Sequence, residues 1–474
     1  MNYDWKQRYL FEVNGRYDGS SKFPEDERFG FFPSVSAGWR ISEEPFMTST
    51  RDWLDNLKLR ASYGTLGNGN VSPYLYLESM AVGKTSVILN GAYQSYTSLP
   101  AVLPDGITWE KATTLNLGLD LTVLRNRLNF TFDWYTRDTD DMYTDGPVLP
   151  ATFGASVPKG NYADLETKGW ELSIGWKDSF VLGGSPFHYN ISAGLWDSHS
   201  VITRYNNPTK NLASTYYEGA EVGEIWGYVT EGLFQSEDEI AHHALPSSSV
   251  IKISSGQKWL PGDLKFADLD GNNVIDDGDN TVDNPGDRRV IGNTSPRYQY
   301  SFTLGANWKG FGINAFFQGV GKRDWYFGPD TDLFYGPYGR PYSFQPTKMM
   351  ADVWSEDNPD AYYPRLRTYI SNTERGAMGV PQTRYLQDVS YLRLKSLTLD
   401  YTFPKALTQK IGMEQAQIYL TGQNLFTWSG LFKHTDNFDP EVIENSQDDV
   451  VNGGGQGMAY PMQKSITLGV NLTF

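Results

Sequence analysis

The sequence contains no cysteine, which excludes a disulfide framework, a thiol nucleophile and a thiolate metal site. Histidine is also scarce, with five residues in the chain. The adjacent pair His242 and His243 would point to opposite faces of a strand, so the sequence does not predict a zinc site. No nucleophile–base pair stands out, and acid pairs such as Asp138 and Asp140 are common surface features in so acidic a chain. We therefore expect no catalysis.

Long apolar runs are missing as well. The mean hydropathy is −0.48, and no segment approaches the ~18 consecutive apolar residues of a membrane-spanning helix. This excludes helical membrane spans. It does not exclude a membrane β-barrel, in which only every second residue of a strand faces lipid.

Positive charge is in short supply. The chain has 40 basic and 56 acidic residues, which gives a formal net charge of −16. Binding to nucleic acid requires a basic surface that neutralises phosphates. The charge balance therefore argues against nucleic acid as a partner.

Aromatic residues are plentiful, at 15% of the chain, and apolar residues alternate with polar ones. The clearest case is the carboxy-terminal segment 465–474, which is long enough for a tilted strand to cross a bilayer. Its apolar side chains all fall on one face, and they are Ile466, Leu468, Val470, Leu472 and Phe474. Its other face carries Ser, Thr, Gly and Asn.

The same alternation recurs along the whole chain, at 34–41, 57–63, 114–123, 128–134, 170–176, 189–195, 302–308, 313–317, 397–403 and 418–420. We count about fourteen strands. Short turns at Arg125-Asn126 and Lys309-Gly310 alternate with long connections at 64–110, 136–162, 204–289, 322–386 and 429–458. This pattern predicts an all-β fold, a transmembrane antiparallel β-barrel formed by one domain over 1–474, with its longest loops at about 204–289 and 322–386.

A soluble β-sandwich or propeller would also show alternating strands. Its solvent-facing positions would usually carry Lys, Glu and Arg, whereas the polar positions here are mostly Ser, Thr, Gly and Asn. The composition of the polar faces therefore favours the barrel.

One segment has the spacing of a calcium loop, DLDGNNVIDDGD at 268–279. Oxygen ligands at loop positions 1, 3, 5, 9 and 12, with a backbone carbonyl at position 7, suit a hard cation that takes six to eight oxygens. The predicted ligands are Asp268, Asp270, Asn272, the carbonyl of Val274, Asp276 and Asp279. The alternative interpretation is an acidic surface turn that holds no ion.

The loop departs from the standard pattern at two positions. Position 6 is Asn273 instead of glycine, and asparagine tolerates the left-handed conformation that this position requires. Position 12 is Asp279 instead of glutamate, which shortens the bidentate reach. We therefore expect an affinity of about 0.1–1 mM.

Two aromatic segments lie in the long connections, at 325–327 and 334–338. Their rings could stack on a sugar or a peptide, or they could pack against a lid or plug. The sequence leaves both interpretations open.

Several segments together resemble the SusC-type family of TonB-dependent outer-membrane transporters. They are YDGSSKF (17–23), FPSVSAGWR (32–40), LKLRASYG (57–64), WEKA (109–112), KGWEL (168–172), YLRLKSLTL (391–399) and GQNLF (422–426). The terminal strand, which ends on Phe474, also resembles the closing strand of bacterial outer-membrane barrels. The likeness extends over about residues 8–474.

The resemblance implies the carboxy-terminal portion of a barrel of about 22 strands in the outer membrane, in contact with its lipids. Family members begin with a signal peptide, a TonB-contacting segment and a plug domain, none of which is recognisable here. We therefore expect a fragment of an importer of oligosaccharides or peptides. A SusD-like lipoprotein would act as its lid, TonB would act only through the missing amino-terminal part, and calcium would brace an extracellular loop.

A different class of function remains as the alternative, a soluble or surface calcium-binding β-protein that recognises carbohydrate. Dependence on detergent distinguishes the two. A protein that is folded and monomeric in plain buffer would support the alternative.

Overall fold

The computed structural model describes residues 1–100, 102–104, 106–146, 152, 154, 157–214, 216–247, 249–253, 258–329, 331–338, 351–367, 375–443 and 460–474. Its strands are β1 Asn2–Trp5, β2 Tyr9–Gly19, β3 Phe29–Arg40, β4 Leu54–Asn68, β5 Val82–Leu89, β6 Ala92–Thr97, β7 Glu110–Val123, β8 Leu128–Asp145, β9 Lys159–Leu182, β10 Ser185–Arg204, β11 Glu224–Tyr228, β12 Thr230–Leu233, β13 Leu245–Pro246, β14 Leu264–Phe266, β15 Val274–Ile275, β16 Arg288–Asn293, β17 Arg297–Trp308, β18 Phe311–Lys322, β19 Asp324–Tyr326, β20 Leu386–Asp388, β21 Tyr391–Thr402, β22 Gln415–Ser429 and β23 Ser465–Thr473.

Helices are short and few in the described residues. The α-helices are α1 Glu237–Ala241, α2 Asp332–Tyr335 and α3 Lys405–Thr408, and the 3₁₀-helices are Ile41–Glu43, Pro45–Thr50, Gly336–Tyr338, Gln409–Ile411 and Gly430–Lys433. Within the described ranges, none of them has the length and apolar character needed to cross a membrane.

Thirteen strands form one large sheet in the order β1-β2-β3-β4-β7-β8-β9-β10-β17-β18-β21-β22-β23. Neighbouring strands from β1 to β8 and from β10 to β23 run antiparallel. Five two-stranded sheets, β5-β6, β11-β16, β12-β14, β13-β15 and β19-β20, lie within the connections between sheet strands. The prediction of an all-β, antiparallel fold is confirmed.

By their contacts the described residues divide into two compact units. Unit 1 comprises Met1–Glu171 and Ser198–Glu221, and unit 2 comprises Leu172–Asp197 and Val222–Phe474. Unit 1 has a small core of its own that consists of Phe23, Phe32, Val71, Ile107 and Trp109. The larger core of unit 2 lies in its long connections and is described below.

Short and long connections alternate along the sheet, as the sequence predicted. The turn between β7 and β8 places Arg125 and Asn126 in the left-handed region, with φ of 60° and 61°. The turn between β17 and β18 does the same with Lys309 and Gly310, at 49° and 87°. In the first turn Leu124 is left-handed as well, with φ of 60°. Consecutive left-handed residues match the right-handed twist of the flanking strands, which explains why the chain reverses there.

Two connections are shorter than the sequence predicted. Strand β4 continues to Asn68 and β8 continues to Asp145, into segments that we expected to be loops. From Thr136 to Asp141 the residues of β8 are polar on both faces, so apolar alternation gives no signal there. Backbone pairing with β7 holds that polar extension in the sheet, up to the pair Lys111 and Asp140.

Candidate functional site: a two-faced sheet and a folded loop module

In unit 1 the side chains on one face of the sheet are apolar and exposed. The backbone register aligns Phe11, Ala37, Ala61, Leu117 and Trp134 in one row across β2, β3, β4, β7 and β8. Phe11, Leu117 and Trp134 are 51%, 46% and 37% exposed. A soluble protein would bury such a row, because each large apolar side chain left in water costs about 1.5–3 kcal/mol.

The adjacent row points to the opposite face and has the opposite chemistry. It aligns Leu10, Gly38, Arg60, Gly118 and Asp133 across the same strands. The Arg60 guanidinium donates to both carboxylate oxygens of Asp120, at 2.9 and 3.0 Å, and to both of Asp133, at 3.0 and 2.9 Å. Charge-assisted, bidentate bonds of this kind fix both partners.

Gly118 provides the space that Arg60 occupies. A Cβ built on Gly118 would lie 2.5 Å from Cζ of Arg60, well inside contact distance. Gly175 on β9 has no atom within 4 Å of a Cβ built in the same way. The glycine at position 118 therefore follows from the packing of Arg60 and not from a general preference of the sheet.

The sheet in unit 2 repeats this arrangement. Ile313, Leu399, Leu420 and Leu468 align in one exposed apolar row across β18, β21, β22 and β23. On the opposite face, Gln417 donates to Asp400 at 3.0 Å and accepts from Asn471 at 3.1 Å. One face of the sheet is thus apolar and the other is hydrogen-bonded and charged.

The long connections of unit 2 fold into a body of their own, which we call the loop module. It comprises the described residues of 224–293, 324–389 and 431–443, and its core consists of buried aromatic and aliphatic side chains. Backbone bonds join the first two connections, from Tyr228 N to the carbonyl of Pro381 at 2.9 Å and from Thr383 N to the carbonyl of Tyr228 at 3.0 Å. None of these segments has regular structure long enough to bury a core alone.

Both aromatic segments singled out in the sequence lie in that core. Phe327, Tyr335 and Tyr338 are fully buried. The hydroxyl of Tyr338 donates to the carbonyl of Pro364 at 2.6 Å, and that of Tyr335 donates to the carbonyl of Phe327 at 3.2 Å. These rings pack within the chain and satisfy their hydroxyls there, so neither the sugar-stacking nor the lid-packing interpretation describes them.

A tyrosine and a histidine form a stacked pair in the loop module. Tyr362 stacks on His434 with ring centroids 4.0 Å apart and an angle of 11° between the rings. Burial raises the pKa of Tyr362 to about 12. Burial also lowers the pKa of His434, and the charges of Lys433 and Arg384 lower it further. The stacked pair is therefore neutral at pH 7.

Buried ion pairs attach the third connection to the sheet of unit 2. Arg393 of β21 donates to Asp439 at 2.5 Å and to Glu441 at 2.7 Å. Lys395 of the same strand donates to Glu441 at 2.7 Å. Because a buried charge without a partner costs several kcal/mol, these pairs determine where the segment lies.

The predicted calcium loop is a compact turn within the module. Asp268 accepts the backbone N–H groups of Gly271 and Asn273, both at 2.8 Å. Asn273 adopts the left-handed conformation expected of position 6, with φ of 67°. Carboxylate oxygens of Asp268, Asp270 and Asp287 lie within 4.8 Å of one another.

The other predicted ligands bond elsewhere in the loop. The Asn272 side chain accepts from the N–H of Val274 at 2.8 Å, Asp276 accepts from Gly278 N at 2.7 Å, and Asp279 accepts from the Asn284 amide at 2.9 Å. The three-carboxylate group thus includes two predicted residues and adds Asp287. The calcium-loop spacing ends at position 12, so it could not include a residue that the chain brings back after a further turn.

Asp287 is the most buried of the three carboxylates, with no exposed surface. It accepts the N–H groups of Leu269 at 2.6 Å and Asp276 at 2.8 Å. Burial raises the pKa of its carboxyl, and it makes no salt bridge with a described residue. A buried carboxylate next to two others is expensive to ionise unless a cation is present, so this donor set suits a calcium ion.

Comparison with known proteins adds the family context. Residues 1–425 match the profile of the TonB dependent receptor-like, beta-barrel family. The chain is 29% identical to the TonB-dependent receptor P3 of Formosa agariphila and 27% identical to the TonB-dependent receptor SusC of Bacteroides thetaiotaomicron, in each case over 100% of this chain. These matches cover 45% and 43% of the two relatives, so the chain spans less than half of their length.

A solved structure has the same fold. The structure of the RagAB peptide transporter superposes with a TM-score of 0.73 at 24% identity, over 100% of this chain and 47% of the other. At this identity the likeness concerns the fold alone. It agrees with the antiparallel sheet and its alternating short and long connections.

Proposed function

Because the chain belongs to the TonB dependent receptor-like β-barrel family, as a SusC-like barrel portion, we propose that it forms part of the membrane-spanning wall of an outer-membrane importer. The cargo class is oligosaccharides or peptides. Barrels of this family are outer-membrane proteins, and the family consists of transporters and not of enzymes. Catalysis is accordingly not proposed.

The reversed polarity of the sheet is the observation that carries the proposal. The row from Phe11 to Trp134 exposes apolar side chains, while Arg60, Asp120 and Asp133 on the other face are ion-paired. Outer-membrane barrels place apolar residues toward lipid and polar residues toward an aqueous interior. Transport through such an interior requires the rest of the barrel and a plug. The relatives are more than twice as long as this chain, which leaves room in them for both.

By analogy with SusC and RagAB, we propose two partners for the full-length transporter. A SusD-like surface lipoprotein covers the long connections, and TonB supplies energy through a segment outside this sequence. RagAB, whose structure has the same fold, is a peptide transporter, and this supports a peptide as one of the two cargo classes.

The test uses cells that express the full-length transporter. We expect the protein in the outer-membrane fraction, with migration on gels that changes on heating, and uptake of either a labelled oligosaccharide mixture or a labelled peptide mixture that stops when TonB is deleted. A folded, monodisperse protein in detergent-free buffer would refute the proposal.

We also propose a structural calcium site in the loop module, held by Asp268, Asp270 and Asp287 with further oxygens from the loop. An ion there would neutralise the buried carboxylate of Asp287 and stiffen the segment 268–287. Calorimetric titration of the full-length protein should give saturable calcium heat, and Asp270→Asn should weaken binding at least tenfold. Equal heat from the parent and from Asp270→Asn would remove the site.

A further inference from the structure

A two-stranded ribbon projects from the connection between β4 and β7 in unit 1. Its strands β5 and β6 are joined by Asn90 and Gly91, both left-handed, with φ of 51° and 74°. At its base, Ser98 N donates to the carbonyl of Ala81 at 2.9 Å, and Ala81 N donates to the hydroxyl of Ser98 at 3.1 Å. The turn and these bonds define a hairpin, whose pairing register shifts between Lys84 and Ile88.

Every residue of β6 and most of β5 are exposed, although much of the ribbon is apolar. The register opposes Ile88 to Tyr93 on one face, and places Leu89 and Tyr96 on the other. The large apolar residues of the ribbon and its flanks that are roughly half or more exposed are Tyr74, Leu77, Met80, Val82, Val87, Ile88, Leu89, Tyr93, Tyr96 and Leu99.

The ribbon is also nearly free of charge. Between Glu78 and Asp105, Lys84 is the only charged residue, in a chain of which 20% is charged. Loops that stand in water normally carry charges, because charges keep an exposed strand edge from pairing with other proteins. Their scarcity here indicates a surface that is covered.

Two estimates agree with a covered surface. An isolated two-stranded hairpin is marginally stable in water at best, and among the described residues all of β6 and most of β5 are exposed. Burying a large apolar side chain contributes roughly 1.5–3 kcal/mol at about 25 cal/mol per Å², which corresponds to roughly 60–120 Å². At their observed exposure, these ten side chains therefore offer on the order of 400–700 Å². One partner in a standard interface contributes about 800 Å².

We propose that the ribbon inserts into an apolar, uncharged groove of a partner protein, and that this partner is the surface lipoprotein of the proposed function, on which this inference rests. A groove covers both faces of the ribbon at once. A lipid surface would cover one face only. A second copy of the chain that paired through the edge of β6 would extend the sheet and leave both faces in water.

The experiment places a photoreactive benzoylphenylalanine in the full-length transporter at positions 88 and 93, on one face, and at 89 and 96, on the other. Val181, which is 74% exposed next to the short turn between β9 and β10, is the control position. In intact outer membranes we expect all four ribbon positions to cross-link to the lipoprotein that co-purifies with the transporter, and Val181 to give no such product. Cross-links from one face only, to lipopolysaccharide, to another transporter copy, or to the transporter's own residues outside this sequence would overturn the proposal.

Paired substitutions measure the same contact. Ile88→Ser with Tyr93→Ser, and separately Leu89→Ser with Tyr96→Ser, should each reduce the lipoprotein retained on the purified transporter at least tenfold. The amount of heat-modifiable transporter in the membrane should stay unchanged, because all four side chains are more than half exposed among the described residues.

Different results would contradict the role of the ribbon and the partnership with the lipoprotein. Undiminished retention in both double variants overturns the role of the ribbon while the lipoprotein partnership stands. If the unaltered transporter retains no lipoprotein at all, the proposed partnership fails and this inference fails with it.

Discussion

The sheet and the loop module of unit 2 sort their side chains in opposite ways. Phe426 on β22 is 56% exposed, whereas Phe327 in the module is fully buried between Phe334 and Phe438. The sheet pairs polar groups on one face and leaves the other apolar. The module buries its apolar groups, as a water-soluble domain does.

The difference is what the proposed membrane location predicts, with one chain folded against two solvents. The module gains stability by removing aromatic surface from water, so its core is close-packed and sensitive to volume. The sheet gains little from burying its apolar face within the chain, because in a bilayer that face already contacts hydrocarbon. Its stability comes from backbone pairing and from bonds on the polar face.

The strongest test of this difference between the sheet and the loop module is the same substitution in both regions. Phe327→Ala removes a fully buried ring and should cost the module about 3–5 kcal/mol, whereas Phe426→Ala should change the module little. Limited proteolysis of the full-length protein in detergent measures the opening of the module. Equal cleavage rates in the two variants would contradict a separate module core.

A charge placed on the apolar face of the sheet tests whether that face contacts hydrocarbon. Leu117→Arg should destabilise the protein by about 2–4 kcal/mol in lipid vesicles, because the guanidinium would lie in hydrocarbon. Asn116→Arg on the same strand points to the polar face and serves as the control. Urea midpoints of both variants in vesicles check this, and similar losses for both would mean that the two faces meet the same medium.

A substitution at Gly118 should have a smaller and more local effect on stability. Gly118→Ala would push its Cβ into the Arg60 guanidinium and should cost about 1–3 kcal/mol through a displaced ion pair. Gly175→Ala, where the space is open, should be neutral or slightly stabilising. Thermal unfolding in detergent compares them, and an equal effect at both positions would show that Arg60 does not determine the glycine.

The stacked pair Tyr362 and His434 should give the smallest effect. Because the pKa of His434 is lowered in the folded state, protonation of this ring favours the unfolded chain. The stability that the neutral ring contributes is present above the unfolded pKa of about 6.5 and is lost as pH falls below it. His434→Gln should reduce this acid sensitivity of the module, while His242→Gln at an exposed position should not. Proteolysis rates at pH 7 and pH 5 provide the measurement.

The sequence predicted the sheet well because the physical cause is local. Side chains on a strand alternate with a period of two, so Ile466 and Leu468 could be assigned to one face without knowledge of the neighbouring strands. The family resemblance supplied the barrel and was confirmed by the match over residues 1–425. The sequence did not predict the polar end of β8, because apolar residues stop alternating with polar ones after Trp134.

The loop module could not be predicted in the same way. Phe327 and Phe438 meet through a contact between two different connections, and no periodicity marks such residues in advance. The calcium loop shows the same limit. Its left-handed Asn273 followed from the residue type, but Asp287 joins the carboxylate group only because the chain folds back.

The length of β8 has a consequence for how the strand would sit in a membrane. Its 18 residues span roughly 60 Å at about 3.4 Å each, or roughly 40 Å along the membrane normal at a tilt of about 45°, against a hydrocarbon layer of ~30 Å. The surplus would stand above the lipid as a collar, where Asp138 and Asp140 lie on the same face as Trp134 and would therefore point outward, toward the lipid headgroups. Charged headgroups would act on these carboxylates within a screening length of about 8 Å at physiological salt. That effect would weaken as the salt concentration rises.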